Sequence, residues 1–503
     1  MLNKQQKNIY DEIVEILRSS TQTSSYNVKT NSIKDGLINK FNKFNFDDTS
    51  HEIKNKLLFV SGAAGTGKSK LLMDIAEYCN NNDLPCSVVS LSAIAAKNVG
   101  GKTIHSVFLL NFAGKNTGGK PNLPPNLKLL IIDEISMVSS VILDSINSIM
   151  KRFYKSSEPF GGINVLCFGD LFQLEPINQC HKDEESNHTY PFKSSVWQNF
   201  EFRELTINMR QSEAEFIKNL NLLRIGDRTV ISYFNQFVRP ITLNDRLESL
   251  SLIATKAEVK KINDKMFSLV SKNKKIKEYS SEKNKVKVDK YGMNFVYPIT
   301  QRNFIIPEKI SLCEGARIMF NANHQFKLYL NGDIGVVTSV SQNEFDVKLI
   351  DSDRIITIHP VCYKFRIDSE IYSGNKKEFN VESITGFPIS LAWACTIHKM
   401  QGVTTDKLIV ESTRMFANGQ LYVSLSRVKH SSGVILGMPI TTSSIIYNPE
   451  VLMEYDRLRS TISGTKYETN EYLENNISLE TTKELYTSEL DSDEWDEELS
   501  RVV

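Results

Sequence analysis

The fold of this chain is indicated by Gly62-Ala63-Ala64-Gly65-Thr66-Gly67-Lys68-Ser69, which lies between the apolar run Leu57 to Val60 and the helical pattern Leu71 to Tyr78. Glycines let the backbone approach phosphate oxygens, and a helix N-terminus adds positive potential to the backbone N–H groups. We therefore predict a phosphate-binding loop in which Lys68 reaches the β and γ phosphates of a nucleoside triphosphate and Ser69 holds Mg²⁺. A plain glycine-rich turn is the alternative, which the flanking strand and helix disfavour.

Apolar runs elsewhere predict further buried strands. Helical periods lie between them, as in a doubly wound α/β domain, over roughly the first 200 residues. From Phe345 to Ile358 the apolar period becomes two, which is typical of antiparallel strands, and the α/β pattern then returns. The predicted fold class is therefore α/β with a small inserted antiparallel β-module. The apolar runs are Ser87 to Val89, Leu129 to Ile132, Ile163 to Phe168, Leu250 to Ala254, Leu408 to Val410 and Val434 to Leu436.

Two carboxylates follow the run that ends at Ile132, where an open α/β sheet places its ligands. Asp133 could hold Mg²⁺ and Glu134 could orient and deprotonate an attacking water, which indicates hydrolysis. After the next predicted strand, the neutral amide of Gln173 could sense a γ-phosphate. Arg210 and Arg427 could stabilise charge across a cleft, although most arginines in proteins are surface partners of carboxylates.

Composition excludes several classes of protein. The chain has 503 residues, of which 41% are hydrophobic, so collagen-like and wholly disordered classes do not apply. No apolar stretch approaches the ~20 residues that cross a bilayer, and the polar start does not resemble a signal peptide. The 7 cysteines contain no Cys-x-x-Cys pair, which argues against a disulfide framework. We expect an intracellular protein, nuclear or cytoplasmic according to the host, with no membrane partner.

Charge is distributed unevenly along the chain. Residues 471–503 contain 11 acidic and 2 basic residues, a net charge of −9, whereas the whole chain carries +1, which leaves +10 for residues 1–470. A basic body is compatible with a polyanionic partner. The acidic tail, which we expect to be disordered, either keeps the protein soluble or docks in a basic groove of another protein.

Together the motifs resemble those of the PIF-type (petite integration frequency) DNA helicases of superfamily one, branch B, which are related to the RecD and Dda enzymes. The resemblance covers roughly residues 1–440. Besides the motifs above, it rests on Leu2 to Gln6, Ser92 to Gly101, Thr103 to Ser106, Met150 to Asn164, Thr255 to Asn263, Leu391 to Gly402 and Gln420 to Arg427. It implies two RecA-like P-loop domains that hydrolyse ATP with Mg²⁺ in the cleft between them, and it makes Arg210 and Arg427 candidate arginine fingers.

The resemblance also implies a division of the chain into domains. The expected parts are a first RecA-like domain at 1–200 with a short wedge near 106–127, a second RecA-like domain at 201–270 and 386–447, an inserted domain with an SH3-like β-module at 271–385, and a C-terminal extension at 448–503. Within the first part, a helix predicted from Gln5 to Leu17 is followed by a polar stretch at 19–54, which lengthens the distance to the phosphate loop.

Further site residues are carried over from the family motifs. Gln6 would read the adenine, Gly402 would contact the nucleotide, and the loop from Gly62 to Ser69 would bind its phosphates. The path of a single DNA strand would be lined by Ser92, His105, Thr255, Asn263, His398 and Lys399. A capped or core imidazole is the alternative for both histidines. The sequence departs from the family at Ala93, where glycine is usual, and at Glu175, where the first of two prolines is usual.

 

The activity that the resemblance implies is that of an ATP-driven motor that acts as a monomer. It would travel 5′ to 3′ on single-stranded DNA and unwind forked or tailed duplexes. One alternative is a translocase that displaces proteins from nucleic acid without unwinding, and another is a structural adaptor whose ATPase has decayed. The intact Lys68, Asp133 and Arg427 disfavour the adaptor. If the acidic tail docks, a replisome protein or a single-strand-binding protein is its expected partner. The lysine-rich stretch 271–290 either contacts DNA or forms a solvated face.

Overall fold

The protein is described by a computed structural model. The described residues are 2–34, 55–110, 114, 116, 120–176, 190–288, 296–298, 305–322, 324, 328–329, 331–350, 352–366, 379–411 and 415–462. The chain divides into one compact unit at Met1–Glu454 and a second at Tyr455–Val503. All strands and all sites discussed below belong to the first unit. The acidic tail at 471–503 lies outside the described residues.

A six-stranded parallel sheet contains the phosphate loop. Its strands are β1 (Leu57–Gly62), β2 (Cys86–Ser90), β3 (Lys102–Thr103), β4 (Leu129–Asp133), β5 (Asn164–Gly169) and β6 (Glu201–Leu205). Their spatial order is β3-β2-β4-β5-β1-β6. Strands β1, β4 and β5 are buried at every residue, which explains their nearly continuous apolar sequences. Because β6 pairs with β1, the predicted domain boundary between residues 200 and 201 is too early and lies beyond residue 205.

Helices pack around the strands. The first helix extends to Lys34, well past the predicted end at Leu17, and residues 35–54 lie outside the described part. Its Ile9, Ile13 and Leu17 belong to the core of the first sheet. The helices are α1 (Lys4–Lys34), α2 (Lys68–Asn81), α3 (Ala93–Asn98), α4 (Ile104–Phe108), α5 (Ser140–Tyr154), α6 (Ala214–Arg224), α7 (Ile231–Asn235), α8 (Leu243–Glu248), α9 (Lys256–Val270), α10 (Gln420–Leu425) and α11 (Pro449–Ser460). No helix among the described residues is both long and apolar enough to span a bilayer.

A second parallel sheet is assembled from segments that are distant in sequence. The remaining strands are β7 (Leu250–Ile253), β8 (Lys277–Ser280), β9 (Glu282–Val288), β10 (Val296–Pro298), β11 (Lys309–Leu312), β12 (Arg317–Phe320), β13 (Ile334–Val340), β14 (Phe345–Leu349), β15 (Ile355–Ile358), β16 (Val361–Arg366), β17 (Phe379–Gly386), β18 (Ile389–Leu391), β19 (Ala394–Thr396), β20 (Leu408–Val410) and β21 (Val434–Leu436). The second parallel sheet has the order β19-β7-β20-β21.

The strands between β7 and β19 form the insertion. One sheet is antiparallel throughout, with the order β15-β14-β13-β12-β18, and two smaller sheets contain β10-β16-β17-β9 and β11-β8. The antiparallel strands predicted from the period of two are present, whereas the SH3-like character of the module stays a prediction. Since β18 pairs with β12, the insertion continues past its predicted end at residue 385, and the predicted return to the second domain at residue 386 is too early.

The core of the second sheet reaches the phosphate loop. Its apolar cluster includes Ala64 of that loop and Leu174, packed with Met400, Leu421 and Tyr422. Burying apolar side chains from loops of the first half together with the core of the second sheet favours a closed arrangement of the two halves. The carboxyl edges of the two parallel sheets therefore meet where the predicted site residues lie.

Candidate functional site

The phosphate loop connects β1 to α2. Gly65 and Gly67 have φ angles of 86° and 80°, a region that residues with a Cβ rarely adopt. A Cβ on Gly65 would lie 2.7 Å from the Cβ of Arg210, and a Cβ on Gly67 would overlap the side chain of Gln6. The glycines are thus required both by backbone conformation and by close neighbours, as expected of a cradle for phosphates.

Lys68 begins α2 and carries the loop's positive charge. Its Nζ donates hydrogen bonds to the carbonyls of Gly62, at 2.5 Å, and Ala63, at 3.1 Å. Burial lowers the pKa of Lys68, while the charges of Asp170 and Glu134 partly oppose this. A buried ammonium beside the glycine cradle suits the oxygens of a triphosphate, so the residues of this loop fit ATP.

Gln6 forms hydrogen bonds to the backbone of the phosphate loop. Its Nε2 donates to the carbonyls of Thr66, at 3.1 Å, and Gly67, at 3.3 Å, and its Oε1 accepts from the backbone N–H of Asn3. The side chain is only 2% exposed. Gln6 therefore holds the loop through its amide hydrogens, and its contact with adenine stays a prediction.

The two predicted catalytic carboxylates lie at the end of β4. Asp133 is buried, and its burial, followed by the charge of Glu134, raises its pKa to about 8. A buried carboxylate beside a second, partly exposed one favours a cation, which makes the site suitable for Mg²⁺ held by Asp133, Ser69 and phosphate oxygens. Among the described residues no group of three or more His, Cys, Asp or Glu could hold a metal, so a Mg²⁺ here depends on the nucleotide for further ligands.

Both predicted arginine fingers donate hydrogen bonds to backbone carbonyls between Val423 and Ser426. Arg210 donates to the carbonyl of Ser426 at 2.7 Å, and Arg427 donates through Nε to the carbonyl of Val423 at 2.7 Å. Burial, and then the charge of Arg210, lowers the pKa of Arg427 to about 9. Glu134 and Asp170 act electrostatically on both Lys68 and Arg427, which places these two cations at one cleft. Neighbouring buried cations favour an anion between them.

Two residues that the sequence did not single out also join the two sheets. The backbone N–H of Ala64 donates to Oη of Tyr422 at 2.7 Å, and Nε2 of Gln401 donates to Oε2 of Glu134 at 3.1 Å. Tyr422 and Gln401 both lie in segments that carry the family resemblance, but only their contacts across the cleft indicate a role.

A buried ion pair holds the sensor segment. Asp170, fully buried after β5, accepts hydrogen bonds from Nε and Nη2 of Arg224 at 2.7 to 3.1 Å. Burial alone would raise the pKa of Asp170, but the charge and hydrogen bonds of Arg224 lower it below its usual value. Gln173 Nε2 lies 3.4 Å from Oδ2 of the same aspartate. Arg224 on α6 is thereby linked to the predicted sensor Gln173 through one carboxylate.

Replacing Asp170 by Asn should destabilise the protein by about 3–5 kcal/mol, because it leaves Arg224 buried without a counter-charge. Urea unfolding measures this loss. Since the folded pKa of Asp170 is lowered, its contribution is complete above about pH 4 and is lost as the pH falls through the folded value. The control is Asp406→Asn, which removes an exposed pair with Lys429 and should leave the stability nearly unchanged. Equal losses in the two variants would contradict the prediction.

Most of the residues predicted to line a DNA strand follow the carboxyl ends of parallel strands. Ser92 follows β2, His105 follows β3, Thr255 follows β7, and His398 and Lys399 follow β19. The hydroxyls of Ser92 and Thr255 accept hydrogen bonds from backbone N–H groups at the starts of α3 and α9. Burial lowers the pKa values of His105, His398 and Lys399. Their contacts with DNA stay predictions.

Asn263 differs from the other residues predicted to line a DNA strand, because its side chain is bonded to the protein backbone. Its Nδ2 donates to the carbonyls of Leu391 and Ala394, both at 3.0 Å, and its Oδ1 accepts from the backbone N–H groups of Trp393 and Ala394, both at 2.9 Å. These four hydrogen bonds use the full capacity of the amide. The predicted DNA contact of Asn263 is therefore corrected to a structural role, in which it fixes the backbone that leads to His398.

Glu175 replaces a proline usual in the family and contacts both halves of the cleft. Its Oε2 accepts from Oη of Tyr190 at 2.9 Å and from Nδ2 of Asn418 at 2.7 Å. Its charge also acts on His398, where it partly offsets the lowering of the pKa by burial. A proline could make neither hydrogen bond, so the departure adds a polar link between the two halves.

There are two parallel sheets; a glycine-rich loop follows a strand of the first sheet, and Tyr422 joins that loop to the helix that precedes the buried Arg427. This arrangement defines a P-loop ATPase built from two RecA-like domains. The PIF1-like helicase family matches residues 43–229. ATP-dependent DNA helicase Pif1 of Campylobacter jejuni is 30% identical over 419 residues, which cover 76% of this chain and 89% of that protein. The chain belongs to the PIF1-like helicase family.

The chain is also similar to solved structures of Pif1 helicases. Bacteroides Pif1 bound to ssDNA has a TM-score of 0.65 and 32% sequence identity, covering 81% of this chain and 94% of its own. A structure of two coordinating Pif1 helicases at forked dsDNA has a TM-score of 0.66 and 29% identity, covering 92% of this chain and 98% of its own. The RecA-like fold and the assignment as an ATP-hydrolysing DNA helicase of this family, both predicted from sequence, are confirmed.

Proposed function

We propose that this protein couples ATP hydrolysis to 5′ to 3′ movement on single-stranded DNA and thereby unwinds tailed or forked duplexes. The observation that carries the proposal is the hydrogen bond from Ala64 to Tyr422, which joins the phosphate loop to α10, the helix that leads to Arg427. A nucleotide bound at the loop contacts both sheets, so its binding and hydrolysis close and release the cleft.

Each residue of the cleft has its own role in ATP hydrolysis. Lys68 and the loop from Gly62 to Ser69 hold the phosphates. Ser69 and Asp133 would hold Mg²⁺, which would supply positive charge against the triphosphate. Glu134 takes the proton of the attacking water. Arg210 and Arg427 stabilise the charge that develops on the transferred phosphoryl group, and Gln173 contacts the γ-phosphate.

The DNA strand crosses the carboxyl edges of both sheets. The supporting observation is that residues from four parallel strands reach this edge, including His105 from the first sheet and His398 and Lys399 from the second. Binding through phosphate contacts and stacking is tolerant of sequence and weakens as salt rises. The Bacteroides relative with 32% identity binds ssDNA, which agrees with this placement.

Duplexes with a 5′ or a 3′ single-stranded tail test the proposal. We expect ATPase activity that is stimulated by single-stranded DNA and displacement only of the duplex with the 5′ tail. Displacement of only the 3′-tailed duplex would show that the protein moves 3′ to 5′, opposite to the proposed direction. Stimulated ATPase without displacement of either substrate would favour the translocase that removes proteins from nucleic acid.

Deletion of residues 471–503 should leave ATPase and unwinding rates within about two-fold of the full chain, because the segment lies beyond the family motifs and repels DNA by its charge. Steady-state ATPase and duplex displacement at equal protein concentration measure this. As a control, the truncated protein should elute as a monomer at the same salt as the full chain. A loss of either activity would make the tail part of the motor.

A further inference from the structure

Gln401 reaches across the cleft to the predicted general base. It follows the short helical turn Ile397–Met400 after β19, and it is 4% exposed. Its amide lies against Glu134 at the end of β4, with the distance of 3.1 Å given above. A carboxylate accepts hydrogen bonds, so the amide nitrogen must face Glu134 and the amide oxygen must point away from it.

The amide oxygen of Gln401 is a buried acceptor without a hydrogen-bond partner among the described residues. Leaving such a group without a hydrogen bond costs about 1–3 kcal/mol. A buried acceptor without a partner at an active site therefore indicates a ligand that donates a hydrogen bond to it. The neighbouring Gly402 has φ 80°, and a Cβ placed on it would lie 3.7 Å from Oε1 of Glu134. The turn thus approaches both oxygens of the carboxylate.

We propose that Gln401 is a positioning residue for hydrolysis, an inference that rests on the proposed function. Its Nε2 fixes the orientation of the Glu134 carboxylate, and its Oε1 accepts a hydrogen bond from the attacking water. The water oxygen forms a bond to the γ phosphorus, its proton passes to Glu134, and the bond between the γ phosphorus and the bridging oxygen breaks with its electron pair leaving on ADP. Misplacing such a water lowers the rate without weakening nucleotide binding.

Gln401→Met keeps the length of the side chain and removes both hydrogen-bonding groups. With saturating single-stranded DNA we expect kcat for ATP to fall about 10- to 100-fold, while KM for ATP and the Kd for DNA change less than about three-fold. The matched control is Asn235→Ala, which removes an amide whose two hydrogen bonds go to the backbone of Ile440 and should leave kcat within about two-fold. Thermal unfolding and nucleotide binding verify that both variants are folded.

A second variant separates positioning from a general loss of structure. In the Glu134→Gln background, adding Gln401→Met should lower the residual rate less than about two-fold, because a water that Gln401 positions then has no base to receive its proton. If Gln401→Met does not fold, Gln401→Asn, which withdraws the amide by one methylene, carries the same expectation.

The outcomes separate this inference from the proposed function. Wild-type kcat in Gln401→Met would overturn the proposed role of Gln401. A 10- to 100-fold further fall of the residual ATPase rate when Gln401→Met is added to Glu134→Gln would also overturn it. Neither result would contradict the proposed helicase function. Absence of DNA-stimulated ATPase in the wild-type protein overturns the proposed function itself.

Discussion

Glu134→Gln lowers ATP turnover by about 10²–10⁴-fold while ATP and single-stranded DNA still bind, because the amide cannot accept a proton but keeps the shape of the carboxylate. The surroundings of Glu134 favour this separation of binding from chemistry. The buried ammonium of Lys68 and the glycine loop remain intact, and Gln401 still has an oxygen to which its Nε2 can donate. Turnover is measured by phosphate release at saturating DNA, and binding by fluorescence of labelled nucleotide and DNA.

Lys68→Ala is the comparison variant for this experiment. It also abolishes turnover, but it removes the cation that contacts the phosphates, so its nucleotide affinity should fall as well. Wild-type turnover in purified Glu134→Gln would remove Glu134 from the role of general base. Equal loss of nucleotide affinity in both variants would assign Glu134 to binding and not to chemistry.

Arg427→Met lowers kcat by about 10³–10⁵-fold, the range expected for the loss of an arginine finger. The same change should leave the free energy of unfolding unchanged or higher. Arg427 is fully buried and close to Arg210, and both its burial and that neighbouring charge disfavour its charged form. Replacement by an apolar side chain of similar length removes this cost, so activity falls while stability does not.

The control for Arg427→Met is Arg246→Met on α8. Arg246 forms an ion pair with Glu411 at 2.7 Å within the half of the protein that contains the second sheet, and no cleft residue is part of that pair. Its replacement should leave kcat within about two-fold. Urea unfolding and steady-state ATPase measure the two effects, and a large loss of stability in Arg427→Met would show that Arg427 serves the fold more than the reaction.

Sequence motifs were sufficient to place several predicted site residues relative to single strands and helices. Lys68 lies at the start of α2, Asp133 and Glu134 lie at the end of β4, and Gln173 follows β5. Strand boundaries were less well determined. β6 is buried only at Phe202 and Leu205 and lacks the continuous apolar run of its neighbours, so its membership in the first sheet appeared only from its pairing with β1.

The order of motifs in the sequence was sufficient to identify the family, and the returning α/β pattern indicated a second α/β half. The chemistry of the phosphate loop also followed from sequence, because local spacing sets which backbone and side-chain groups can surround a phosphate. Tertiary structure alone decided that Asn263 supports the backbone, that Asp170 pairs with Arg224, and that Gln401 contacts Glu134. These pairs join residues that are from 54 to 267 positions apart. Hydrogen bonds depend on distances and angles between atoms, which sequence spacing does not define across so many residues.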